Sequence, residues 1–127
     1  MRTRKKRDEN VILLRYPKNW GLDEGMVLNL SQKVLRDFGY NRGVELSIFF
    51  VGRDRAKKYN MEYRNKDYIP QVLGFPMSKG TDADGKIRLG DIVICTQKLK
   101  YEVVFQKSTT KRVLKEWLKH GVENLMI

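Results

Sequence analysis

The stretch Val44-Glu-Leu-Ser-Ile-Phe-Phe-Val51 constrains the fold more than any other part of the chain. Val44, Leu46, Ile48 and Phe50 fall on one face while Glu45 and Ser47 begin the other, the alternation of a half-buried strand. After a single glycine the period changes, and Ala56, Tyr59 and Tyr63 recur at helical spacing between Arg53 and Arg64. A strand feeding straight into a helix calls for a sheet with helices laid on it. Upstream, Asn10 to Tyr16 reads as a strand ended by Pro17. Val27, Leu30, Val34 and Phe38 then mark a helix from Asp23 to Phe38, with Asp23 as its N-cap. Downstream, Pro70 and Pro76 keep the segment from Tyr68 to Pro76 extended. Ser78 to Lys86 is a polar turn, and Ile87 to Cys95 is a strand with Gly90-Asp91 placed for a bulge. Thr96 to Phe105 forms a helix. A last helix opens near Ser108, whose hydroxyl caps it, and buries Leu114, Trp117, Leu118, Gly121 and Leu125. The order β-α-β-α-β-β-α-α predicts an α+β fold, one small mixed sheet of about four strands covered by helices.

At 127 residues there is room for one domain with one core. Residues 10–127 are read as that domain. Residues 1–9 are read as a basic flexible arm, because Arg2, Arg4, Lys5, Lys6 and Arg7 bring charge and nothing to bury. The lone cysteine, Cys95, ends an apolar run; it excludes an internal disulfide and a cysteine zinc cluster, and reads as a buried thiol. No segment approaches the ~20 apolar residues that cross a bilayer, and no signal core follows the basic start. The expected location is therefore the cytoplasm, with no membrane partner. Lys and Arg total 26 against 15 Asp and Glu, a net charge of +11. A surface built only for solubility mixes its signs, so an excess this large points to a polyanionic partner, nucleic acid first.

Four local features bear on chemistry. Tyr59 to Tyr68 interleaves three tyrosines with Arg64 and Lys66, a pattern in which rings stack on bases and cations meet phosphates. Tyr59 and Tyr63 are read first as the buried stripe of their helix, whereas Arg64, at its end, is harder to explain as packing. Asp91 sits inside an apolar strand, where it needs a partner, solvent or a site to orient. His120 and Asn124 lie four apart on the last helix, the spacing at which two histidines chelate zinc; a neutral amide is a poor ligand, so this pair alone predicts no metal. Lys111, Lys115 and Lys119 form a positive ridge on the same helix, a pattern most often just a solvated face.

Taken in order, several stretches resemble the YbeY family of bacterial rRNA maturation factors. They are Val44-Glu-Leu-Ser-Ile-Phe-Phe-Val51, Asn60-Met-Glu-Tyr-Arg-Asn-Lys-Asp67, Val72-Leu-Gly-Phe-Pro76 and Leu89-Gly-Asp-Ile-Val-Ile94, followed by His120-Gly121. The resemblance implies a YbeY-like fold and a metal-assisted, single-strand-specific endoribonuclease acting on small-subunit rRNA with the ribosome or a small-subunit ribosomal protein. In that family an arginine binds phosphate and three histidines, in His-Gly-x-x-His and a few residues on, hold a metal ion, usually taken as zinc. Arg64 matches the arginine and is the expected catalytic, phosphate-binding residue; His120 matches the first histidine.

Asn124 stands where the second histidine would be, and the sequence stops at Ile127, ahead of the third. Ile69-Pro70-Gln71 replaces the family's Pro-Thr-Asp, and Gly74 its serine. A hydrolytic zinc takes about three protein ligands plus water, which one imidazole does not supply. The expectation is a YbeY-like, ribosome-associated RNA-binding protein whose metal-dependent nuclease site is lost, with His120 a remnant and no cofactor. Its RNA contacts are expected from Arg2, Arg4, Lys5, Lys6, Arg7, Arg64, Lys66, Lys111, Lys115 and Lys119. Two alternatives stay open. One is a working endoribonuclease, its zinc ligands completed by a partner or its chemistry metal-independent. The other is a basic protein-interaction module docking on the ribosome.

Overall fold

In the computed structural model, residues 9–77 and 85–126 are described; the polar turn expected at Ser78 to Lys86 falls mostly outside them. Their elements follow the expected order: β1 (Val11–Arg15), α1 (Glu24–Asp37), β2 (Val44–Val51), α2 (Arg53–Arg64), β3 (Val72–Pro76), β4 (Ile87–Cys95), α3 (Thr96–Phe105) and α4 (Thr110–Leu125). The strands form one mixed sheet in the order β1-β2-β4-β3. β1 and β4 run parallel to β2, and β3 is antiparallel to β4. This is the α+β domain that the residue pattern predicts. Among the described residues no helix is long and apolar enough to cross a membrane.

Alternation along β2 divides the molecule. Val44, Leu46, Ile48 and Phe50 join Ile92 and Ile94 of β4 against Val27, Leu30, Val34 and Leu35 of α1 and Leu114, Trp117, Leu118 and Val122 of α4. The opposite face is thinner: Val51, Leu73, Val93 and Cys95 meet Ala56 of α2, with Phe49, Tyr59 and Phe75 half-buried around them. The Cys95 thiol is buried, as its apolar run indicates. Buried Asn10 pins the entry to β1, its amide donating to the Tyr40 carbonyl at 2.7 Å and its oxygen accepting from the Val44 N–H at 3.1 Å.

Two local readings change. The α4 cap is Thr109, whose hydroxyl accepts from the Arg112 N–H at 3.2 Å. Ser108 sits one residue too early, its N–H bonded to the Val103 carbonyl of α3. The bulge in β4 falls at Leu89, since Arg88 lies opposite Glu45 but Gly90 lies opposite Leu46. Gly90 there has φ +141°, and a Cβ would come within 2.2 Å of the Phe75 carbonyl oxygen, so only glycine fits. After that irregularity Asp91 lies beside Ser47 on the α2 side of the sheet.

Candidate functional site

The end of α2 builds the first wall of the site. Asn65 takes the left-handed conformation (φ 55°), which asparagine tolerates better than most residues, and stops the helix just after Arg64. Asn60, fully buried, donates from its side chain to the Tyr68 carbonyl at 3.0 Å, and its backbone carbonyl accepts from the Lys66 N–H. Asp67 pairs with Lys57 at 3.3 Å. The Asn-x-x-Tyr-Arg-x-Lys-Asp pattern thus divides its labour: Asn60 and Asp67 fix the turn, leaving Tyr63 and Arg64 toward solvent. The buried positions of α2 are Ala56 and Asn60, and Tyr63 is 65% exposed. The expectation of a buried Tyr59–Tyr63 stripe holds only for Tyr59, which is half-buried against the Ala56 cluster, whereas Tyr63 is exposed at the end of α2.

Two adjoining depressions share Tyr63, Phe75 and Pro76. One, of about 450 Å³, is lined also by Arg64, Leu73, Gly74 and Asn124, and so lies between the end of α2, β3 and the last turn of α4. The other, of about 560 Å³, extends over Phe49, Tyr59, Val93 and Asp91. Tyr63 and Phe75 have ring centroids 5.1 Å apart, and Tyr59 lies 6.2 Å from Tyr63. The result is an aromatic floor with an arginine at one end and a carboxyl at the other. Burial pushes the Asp91 carboxyl above its ordinary range, and a hydrogen bond with Ser47 partly offsets this. Among the described residues Arg64 pairs with neither Asp91 nor Asp67, so its guanidinium is not a clamp on either.

The metal-helix motif meets a different outcome. Asn124 lines the groove, while His120, one turn earlier, is exposed with its Nδ1 3.9 Å from a Glu123 carboxylate oxygen. Gly74 faces this turn so closely that a Cβ there would sit 2.9 Å from the Gly121 carbonyl and 3.0 Å from Asn124 Cβ. Among the described residues no three His, Cys, Asp or Glu side chains come together. One imidazole, one neutral amide and one solvent-exposed carboxylate are not the donor set of a tetrahedral zinc, and the residues here do not fit one.

The expected nucleic-acid residues scatter. Arg64 lines the groove, and Lys66 is exposed just past the end of α2. Lys111 and Lys115 line a separate depression against α1, and Lys119 turns to Glu116 at 4.0 Å. Arg2, Arg4, Lys5, Lys6 and Arg7 lie outside the described residues. Sequence reasoning missed Tyr63 and Phe75 as groove lining. The excess of tyrosines between cations was the available signal, and it was outweighed by their helical spacing.

Known proteins resemble this chain in sequence and in fold. The family model described as Endoribonuclease YbeY matches residues 19–126. A Neisseria meningitidis protein named Endoribonuclease YbeY is 33% identical over 91 residues, covering 69% of this chain and 53% of the relative. An Acinetobacter baumannii protein of the same name is 30% identical over 108 residues, covering 83% of this chain and 68% of the relative. The chain therefore spans about half to two thirds of the length of these curated relatives. The solution structure of TM1509 from Thermotoga maritima superposes with a TM-score of 0.60 at 22% identity, covering 91% of this chain and 71% of that one. On the match across residues 19–126, the chain belongs to the YbeY family.

Proposed function

We infer that this chain is an RNA-binding protein of rRNA maturation that holds single-stranded RNA in the Arg64 groove, with the metal-dependent cleavage step absent. One observation carries the reading: Arg64 and Asn124 line the same depression. The family's phosphate-binding position is retained on one wall, while its second ligand position, on the other, is a neutral amide. Tyr63 and Phe75 offer ring faces on which unpaired bases stack. Arg64 offers a planar fork of donors for a phosphate oxygen pair, at the point where the helix end leaves it exposed. The RNA would be rRNA, met on the ribosome or beside a small-subunit ribosomal protein.

A working endoribonuclease is the second reading, favoured by the name that the curated relatives carry. Incubating the chain with a single-stranded rRNA fragment, with and without added zinc, separates the two. The expected result is RNA retained on the protein and intact in both tubes. Fragments that appear with zinc and vanish with a chelator would overturn the loss of cleavage; fragments that persist in chelator would indicate metal-independent chemistry. No retention of RNA at all would leave the protein-interaction reading.

A further inference from the structure

A larger depression lies elsewhere, about 750 Å³ between α1 and the start of α4. Five of its lining residues are cations: Lys33 and Arg36 from α1, and Lys111, Arg112 and Lys115 from α4. Its one carboxylate, Asp23, is occupied as the α1 cap, accepting from the Met26 N–H at 3.2 Å. None of the five cations forms an ion pair among the described residues, although Lys57, Lys58, Arg88 and Lys119 all do. The first turn of α4 holds no acidic residue, so Lys111 and Arg112 add their charge to the positive end of the helix. A cluster of cations with no carboxylate free to meet them attracts an anion.

We propose that the α1–α4 groove is a second RNA contact, which binds the phosphate backbone without reading sequence. The proposal rests on the RNA-binding reading above and extends it to residues Lys33, Arg36 and Arg112. An acidic protein segment is the weaker occupant, because protein partners draw affinity from aromatic anchors, and among the described residues no aromatic side chain lines this groove. At about 3.6 residues per turn, Lys111 and Lys115 fall on one flank of the buried stripe of α4, and His120 and Asn124 on the other. Lys111 and Asn124 are also separated by roughly 20 Å along the helix. The two binding surfaces are therefore distinct, and α4 holds them at a fixed spacing.

The test is a titration of fluorescent polyuridylate at several salt concentrations, with the triple variant Lys33→Ala, Lys111→Ala, Lys115→Ala beside Arg64→Ala. The triple variant should bind at least tenfold more weakly, with a salt slope shallower by about 0.7 for each phosphate that is no longer neutralised. The α1 pair Lys33→Ala, Arg36→Ala, which leaves the α4 cap untouched, should show the same effect in smaller measure if the triple variant fails to fold. Unchanged affinity and slope in the groove variants overturns the proposal, and weaker binding in Arg64→Ala alone would then leave the Arg64 reading standing. Full affinity in every variant would place the RNA in neither groove, and failure of the parent chain to bind would count against RNA binding itself. Competition by polyglutamate as effective as that by unlabelled polyuridylate would assign the groove to an acidic protein instead.

Discussion

Arg64 is exposed where α2 ends, and its position owes nothing to an ion pair among the described residues. Replacing it with alanine should weaken RNA binding by roughly 1–3 kcal/mol, the range for removing one charge-assisted hydrogen bond. The melting temperature should stay unchanged, and Arg64→Lys should recover only part of the affinity, since an ammonium lacks the two-point fork. Binding isotherms and a thermal melt on one preparation check this; a lower melt at constant affinity would make the residue structural. Asp91 gives a prediction of opposite sign to the usual carboxylate. Its pKa is raised in the folded state by burial, so the folded protein holds the proton more tightly than the unfolded chain does. Stability therefore falls as pH rises above the unfolded value of about 3.9 and through the folded one, then levels off. Asp91→Asn should melt like the parent below that window and above it at neutral pH. Equal differences at every pH would remove burial as the cause. At this scale the sequence was legible where a residue's chemistry stood against its surroundings, as with Asp91 and Arg64. It was misleading for Tyr63, because helical spacing reports which residues share a face but not how far along the helix the sheet extends beneath it.

Element boundaries were the most legible, because period-2 and helical patterns change over at glycine, proline or a capping side chain, each with a local cause. β2 and α2 begin and end where those changes fall, at Gly43, Gly52 and Asn65. Tertiary approach was not legible in the same way. Gly74 is tight against the last turn of α4 because β3 and α4 come together there, and nothing within Val72 to Pro76 announces that approach. Gly121 likewise faces Ile92, where a Cβ would come within 2.7 Å of the Ile92 Cδ1. Gly74→Ser restores the family's residue but places a Cβ 2.9 Å from the Gly121 carbonyl and 3.0 Å from Asn124 Cβ. It should cost about 1–3 kcal/mol by overpacking, seen as a lower denaturation midpoint. An unchanged midpoint would mean that the end of α4 gives way freely, and that the spacing between Arg64 and Asn124 is not fixed by this packing.

Across the whole molecule, charge and ligand chemistry point the same way. The net charge of +11 is not spread evenly: Arg64 stands beside the aromatic floor, and five cations collect between α1 and α4. The first was legible in one stretch of sequence, whereas the second joins residues more than seventy positions apart and needed the packing of α1 on α4. Against this, the family's metal helix keeps one imidazole and replaces the next ligand by Asn124. The central claim is thus that this YbeY-family chain binds RNA without holding a zinc ion of its own. Zinc stoichiometry tests it most directly, measured on the protein purified without chelators, loaded with excess zinc and passed through a desalting column. The account predicts far less than one zinc per chain, whereas about one tightly held ion per chain would contradict it.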